Sequence, residues 1–190
     1  MTGGTSQRFG SDKSRALIEG VSFIARILAA IPSECETIIV GEDPNIVGAR
    51  YRVTQEFPIG GGPVAGFKAG LEICESEIVA LIATDMPFAL TRTLNLINSM
   101  TPHDDAVMYV DAEGFPQPLA AIYRVEAVER ALALMGDAQG HSMRTLLSNL
   151  NAREIAMSKE VAQALIDIDT PEDLERAIAT AKHIQDDVQL

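Results

Sequence analysis

Residues 77–83, Glu-Ile-Val-Ala-Leu-Ile-Ala, constrain the fold more than any other part of this chain. From Ile78 to Ala83 every side chain is apolar, the longest such run in the sequence. A strand with no polar face belongs in the middle of a sheet covered on both sides, as strands of parallel sheets are. The run passes directly into Thr84-Asp85-Met86-Pro87, where Pro87 stops it. Other segments alternate around it. Val21 to Ile31 has apolar residues at helical spacing. Thr37 to Val40 reads as a short buried strand ending at Gly41, and Tyr51 to Thr54 as a weak strand. Helices are expected over Ala65 to Cys74, Thr91 to Met100, Val125 to Met135 and Ser142 to Leu150. Strands are expected over Ala106 to Val110 and Leu119 to Tyr123, with Ile155 to Met157 at an edge. Thr170-Pro171-Glu172-Asp173 has the form of a helix start, threonine as N-cap and proline at the first helical position. That helix runs to about residue 184, and the tail at 183–190 is expected to fray. Strands alternating with helices give an α/β fold: a single Rossmann-like three-layer domain over residues 1–190, with a mostly parallel sheet.

The amino-terminal stretch, Thr2-Gly-Gly-Thr-Ser-Gln-Arg-Phe-Gly-Ser-Asp-Lys13, has the make-up of a loop that wraps a triphosphate. Gly3 and Gly4 allow backbone N–H groups to approach anionic oxygens. Arg8 offers a planar fork to phosphate, and Lys13 a compact point charge. Such loops hang from the carboxyl end of a strand. An apolar strand of roughly five or six residues is therefore expected ahead of Gly3, and the first central strand reads as truncated.

The net charge of −12 argues against a surface for nucleic acid or anionic membrane. It also makes the clustering of Arg8, Lys13 and Arg15 within eight residues notable for an acidic protein that handles phosphate. Cys35 and Cys74 stand in no metal or redox spacing and read as buried or half-buried thiols. No membrane span or signal peptide is visible, so the expected location is the cytoplasm. His103, His141 and His183 are scattered and are expected at the surface.

Asp85 carries the clearest chemistry. Ligands of open α/β sheets bind beyond the carboxyl ends of strands, and a carboxylate there suits a Mg²⁺ that also holds phosphate oxygens. The plain alternative is a turn or helix-cap aspartate. Gly60 to Gly66 (Gly-Gly-Gly-Pro-Val-Ala-Gly) is a second glycine loop opening a helix, and Gly62 in it allows a nucleotide close to the backbone. Glu56, just before it, has the chemistry to accept hydrogen bonds from a base or ribose; the commoner role of such a residue is a solvated acid.

With these segments in order, the chain resembles the molybdenum cofactor guanylyltransferases of the MobA type, within the wider nucleotidyltransferase family. The resemblance rests on Thr2 to Lys13, Gly62-Pro-Val-Ala-Gly66, Thr84-Asp-Met-Pro-Phe88, Gln117-Pro-Leu119 with Tyr123-Arg124, and Asp167-Ile-Asp-Thr-Pro-Glu-Asp-Leu174. It implies transfer of GMP from GTP to the terminal phosphate of molybdopterin, with Mg²⁺ as cofactor and release of pyrophosphate. It implies that Thr2, Gly3, Gly4 and Lys13 meet the GTP, that Glu56 and Gly62 lie near the nucleoside, and that Asp85 binds Mg²⁺. Asp167 and Asp169 fall where the family has asparagines near the pterin, and Gly41-Glu42-Asp43 where it often has Asn. It also implies contact with other proteins of molybdenum cofactor biosynthesis.

The nucleophile of such a reaction is already an anionic phosphate oxygen, so no catalytic Ser, Cys or His is needed. The obstacle is repulsion between anions, which Lys13, Arg8 and a metal at Asp85 would screen. Two other readings compete with guanylyl transfer. One is cytidylyl transfer to molybdopterin or a sugar phosphate; the other is a nucleotide-binding domain without catalysis.

Overall fold

The computed structural model describes residues 17–18, 20–170, 172–176 and 178. The expected triphosphate loop, with Thr2, Gly3, Gly4, Arg8 and Lys13, lies outside these residues, as do His183 and the tail.

Strands β1 (Leu17–Ile18) and β2 (Val21–Ser22) form a two-residue antiparallel ladder around a turn at Gly20, whose φ is +79°. Ser22 then caps α1 (Phe23–Ala30), its hydroxyl accepting the Ala25 N–H at 3.3 Å. Next come β3 (Ile38–Val40) and β4 (Arg52–Thr54), paired in parallel. α2 (Pro63–Leu71) leads to β5 (Ile78–Ile82), and α3 (Ala89–Asn95) tightens into a 3₁₀ turn at Leu96–Ser99. β6 (Ala106–Val110) and β7 (Pro116–Arg124) form a hairpin. The Asp111 carboxylate holds its turn by accepting the N–H groups of Glu113 and Phe115. α4 (Val125–Met135), α5 (Met143–Leu147), β8 (Ala152–Ala156) and α6 (Lys159–Ala164) follow, and residues 172–176 are helical.

The larger sheet has the order β5-β7-β6-β8. It is mixed rather than mostly parallel. β7 runs antiparallel to both β5 and β6, and only β6 with β8 is parallel within it. The two-residue periodicity of strands sends alternate side chains to opposite faces. Ala106 and Met108 of β6, with Ala121 and Tyr123 of β7, pack against α2, α4 and α5 through Val64, Phe67, Val128 and Leu146. Val107 and Tyr109, with Ala120 and Ile122, pack on the other face against Leu96 and against Val161 and Ala164 of α6. These strands are apolar on both faces because both faces are covered, which gives the expected three layers. Tyr123 spends its one polar group inside the core. Its hydroxyl donates to the Pro118 carbonyl at 2.7 Å, its ring lies 5.0 Å from that of Phe67, and burial pushes its pKa up.

Within the described residues β3 pairs only with β4 and β5 only with β7. Between β3 and β5 lies a cavity of about 530 Å³ with largely apolar walls. Two smaller expectations are corrected. Cys35 is exposed, because the loop after α1 carries it clear of the core, while Cys74 is half-buried. His103 is exposed as expected, but His141 is half-buried where its loop packs beside the start of α2. No helix among the described residues is long and apolar enough to cross a membrane.

Candidate active site

The site is built where β5 ends. Ala83 still belongs to the ladder, its N–H donating to the Leu119 carbonyl at 2.8 Å. The chain then turns, Met86 N–H to Ala83 carbonyl at 3.2 Å, and buried Met86 and Ala89 anchor the turn in the core. Asp85 is thereby fixed at the carboxyl end of the strand on a tight, well-bonded turn. Its Oδ1 is shielded from solvent and has no hydrogen-bond partner. A carboxylate oxygen in that condition is costly unless a cation or donor meets it.

A second segment comes to the same place from the far end of the chain. The Ile168 N–H donates to the Asp85 carbonyl at 3.0 Å. Ile168 is 0% exposed, packed with Ile18 and Phe23 and flanked by Phe88 and Leu174. With Ile168 turned inward, its neighbours Asp167 and Asp169 are turned out together, as alternation in an extended chain requires. One carboxylate oxygen from each of Asp85, Asp167 and Asp169 lies within 4.8 Å of the others. Beyond them the chain is locked by a reciprocal cap. Asp173 Oδ2 accepts the N–H groups of Asp169 and Thr170 and the Thr170 hydroxyl, while the Asp173 N–H donates to Thr170 Oγ1 at 3.2 Å. Those hydrogen bonds, led by the Thr170 hydroxyl, hold the Asp173 carboxyl below its ordinary pKa. Arg26 braces the same corner from α1, donating to the Ile18 carbonyl at 3.1 Å and lying 5.5 Å over the Phe88 ring.

Three carboxylate oxygens in one place are a hard, anionic donor set, suited to Mg²⁺ or Ca²⁺ rather than to soft metals. Two oxygens on opposite sides of one ion lie about 4.2 Å apart for Mg²⁺ and about 5 Å for Ca²⁺. The three oxygens lie no more than 4.8 Å apart, close enough to share one such ion, and the orphaned Asp85 Oδ1 is the atom it would satisfy. The residues present therefore fit a divalent cation.

The other expected site residues sit in the loop leading into α2. Glu56 Oε1 accepts the Gly60 N–H at 3.1 Å, so this acid shapes its own loop. Gly62 is the N-cap of α2 at φ +90°, a conformation that favours glycine, and no side chain caps the helix there. Gly61 packs tightly. Its carbonyl accepts the Gly140 N–H at 2.8 Å, and an added Cβ would lie 2.8 Å from the Ala65 Cβ. The structure thus brings Asp85 together with Asp167 and Asp169, and places Glu56 and Gly62 in one loop. Sequence reasoning assigned Asp167 and Asp169 away from the metal. The signal for them was the Asp-Ile-Asp alternation, a buried residue between two outward acids.

Comparison with known proteins shows the family. The family profile described as "MobA-like NTP transferase domain" matches residues 1–154. A "probable molybdenum cofactor guanylyltransferase" from Bacillus cereus is 30% identical over 190 residues, covering 93% of this chain and 92% of that protein. Among solved structures, the molybdopterin-guanine dinucleotide biosynthesis protein A of Archaeoglobus fulgidus superposes with a TM-score of 0.69 at 22% identity, over 96% of both chains. The 2-C-methyl-D-erythritol 4-phosphate cytidylyltransferase of Thermus thermophilus gives 0.67 at 14% identity, over 90% of this chain and 94% of that one.

Proposed function

This chain belongs to the MobA-like NTP transferase family and is a nucleotidyltransferase, and from that premise we propose that it transfers GMP from GTP to the terminal phosphate of molybdopterin. The guanine dinucleotide cofactor forms and pyrophosphate leaves. The location in keeping with this reading is the cytoplasm, and other proteins of molybdenum cofactor biosynthesis are the expected partners. The observation that carries the proposal is Asp85: a carboxylate at the end of β5, with one oxygen buried and unpartnered, facing Asp167 and Asp169. The guanylyl assignment rests on the name of the Bacillus relative and on the Gly3-Gly4 pair.

Asp85, with Asp167 and Asp169 beside it, would hold a Mg²⁺. When bound, that ion supplies positive charge to triphosphate oxygens and to the leaving pyrophosphate. The remaining work falls to the chain itself. Gly3 and Gly4 offer backbone N–H groups to the phosphates, and Thr2 a hydroxyl. Lys13 and Arg8 screen the approach of one anion to another. The acceptor's phosphate oxygen bonds to the α-phosphorus as the bond to pyrophosphate breaks, so no covalent enzyme intermediate arises. The rigid turn at Asp85 and the buried Ile168 hold the carboxylates still, which is the positioning such chemistry needs.

The test is pyrophosphate release with molybdopterin and a panel of GTP, CTP, UTP and ATP in Mg²⁺. GTP should be preferred. Asp85→Ala should lower turnover by at least about a hundredfold while melting close to the parent, and Lys13→Ala should weaken GTP binding and turnover together. Preference for CTP would select the cytidylyl reading. GTP binding without turnover would select a non-catalytic domain.

A further inference from the structure

β5 and β7 keep one register to the end of β5. Ile82 pairs with Ala120, and the Ala83 N–H donates to the Leu119 carbonyl at 2.8 Å. Continued one and two steps further, that register brings Pro118 level with Thr84 and Gln117 level with Asp85. The other edge of β7 does not keep step. Met108 of β6 pairs with Ala121 and Val110 with Pro116, so Tyr109 alone faces the four residues from Gln117 to Ala120. The excess breaks the β6 ladder at the height of the carboxylates, and bulges re-aim side chains in this way beside sites. Pro118, inside the excess, has no N–H to give to a ladder.

Phe115 stands two residues beyond Gln117, about 7 Å further out for an extended chain, and is 54% exposed. Its backbone is fixed: the Phe115 N–H donates to Asp111 Oδ1 at 2.7 Å, and its carbonyl accepts the Asp111 N–H at 3.0 Å. Gln117 is half-buried, and the hydrogen bond it makes among the described residues, from Nε2 to the Phe115 carbonyl, is long at 3.4 Å. Its carboxamide can therefore both donate and accept toward a ligand. Residues 110–118 hold no cation, and the Asp111 carboxylate is engaged by the N–H groups of Glu113 and Phe115. An aromatic ring and a neutral amide without a positive charge suit a flat, uncharged heterocycle and do not suit a phosphate.

The place of these residues selects the substrate. β7 borders β5 on one side, and β3 with β4 lies beyond the other. The loop that carries Glu56 and Gly62 follows β4. In phosphoryl transfer the attacking and leaving oxygens lie roughly in line across the phosphorus, so the acceptor and the pyrophosphate occupy opposite sides of it. With the nucleotide on the β4 flank, the β7 flank is left to the acceptor. We propose that Phe115 and Gln117 form an acceptor subsite. The Phe115 ring lies against the face of a flat heterocycle, the Gln117 carboxamide bonds its nitrogen and oxygen edge, and the acceptor's phosphate points to Asp85. This inference rests on the molybdopterin reading above, since a pterin is a heterocycle of this kind.

The experiment measures molybdopterin binding by equilibrium dialysis and GTP binding by calorimetry in Mg²⁺, for the parent and for Gln117→Ala, Phe115→Leu and Phe115→Tyr. Gln117→Ala and Phe115→Leu should each weaken molybdopterin by at least about fivefold. Phe115→Tyr keeps the ring and should stay within about twofold of the parent. GTP affinity should stay within about twofold throughout, and all three variants should melt within about 2 °C of the parent, because the hairpin bonds at Phe115 are made by its backbone. In pyrophosphate release the loss should appear in KM for molybdopterin and leave kcat little changed. Unchanged molybdopterin binding in both Gln117→Ala and Phe115→Leu would overturn the subsite. A loss for Phe115→Tyr as large as for Phe115→Leu would overturn the ring contact. Weakened GTP with molybdopterin unaffected would assign the hairpin to the nucleotide and overturn the acceptor assignment. A parent that binds GTP but no molybdopterin would refute the acceptor named under the proposed function, and the subsite with it.

Discussion

Replacing Ile168 by alanine separates the two jobs that this residue performs. Its side chain is fully buried among Ile18, Phe23, Phe88 and Leu174, and its N–H holds the Asp85 carbonyl. The substitution removes three buried carbons, about 2.4 kcal/mol of transfer free energy at ~0.8 per methylene. A cavity term adds to this, but Phe88 and Leu174 are only partly buried and have room to close on the gap. A total near 3 kcal/mol, in the lower half of the range for Ile→Ala, follows. For a chain of this length that is a fall in melting temperature of about 6–12 °C. Circular dichroism gives the melt. Pyrophosphate release, assayed well below the mutant's melting point, gives the function. Because Ile168 sets which way Asp167 and Asp169 face, turnover should fall at least about tenfold even where the protein is folded. Ile168→Val, one methylene shorter, should lose about 1 kcal/mol and keep most of the activity. A melt within about 2 °C of the parent would refute the anchoring role. Full turnover in the folded alanine variant would refute the link between anchor and site.

Acid stability offers an independent check. Hydrogen bonds from Arg153 and Thr101 hold the Asp104 carboxyl down at about 2, against an ordinary value near 3.8. A depressed folded value means stability that is present above the unfolded value and is lost as pH falls through the folded one. Asp104→Asn should therefore destabilise the protein at neutral pH and flatten its loss of stability between about pH 4 and pH 2, read from urea melts across that range. At the loop before α2, Gly61→Ala places a Cβ 2.8 Å from the Ala65 Cβ and 3.3 Å from Gln139, so it should cost about 1–3 kcal/mol in a denaturant melt.

Much of this fold was written in local pattern. α4 starts and ends where its periodicity places it, because it repeats cleanly against a buried face, and β6 where its unbroken apolar run places it, because both its faces are covered. The placement of Asp85 at a strand end followed from an apolar run stopped by Pro87. Strand direction was not legible. The run Ala120 to Tyr123 is buried on both faces, and such a run reads the same whether its neighbours are parallel or antiparallel. α6 was missed since only Val161 and Ala164 of its six residues are buried, too few for a period. β1 and β2 exist as two-residue ladders whose pairing is decided by tertiary packing at Ile18. The carboxylate cluster was half-legible: Asp85 announced itself, but nothing local says that Asp167 and Asp169 return to it.

That return has a consequence for the order in which the protein becomes active. The four-stranded sheet and both of its helical layers draw on residues up to Ala164, and Asp167 and Asp169 follow only after them. During synthesis the sheet can therefore assemble while the last carboxylates are still emerging, since domains build from the amino-terminal side as chain becomes available. The cluster closes only when Ile168 finds Ile18 and Phe23, a contact between opposite ends of the described chain and the kind that forms slowly. If these carboxylates hold a metal as proposed, its binding would report the last event of folding, and a nascent or clipped chain would be compact long before it was competent.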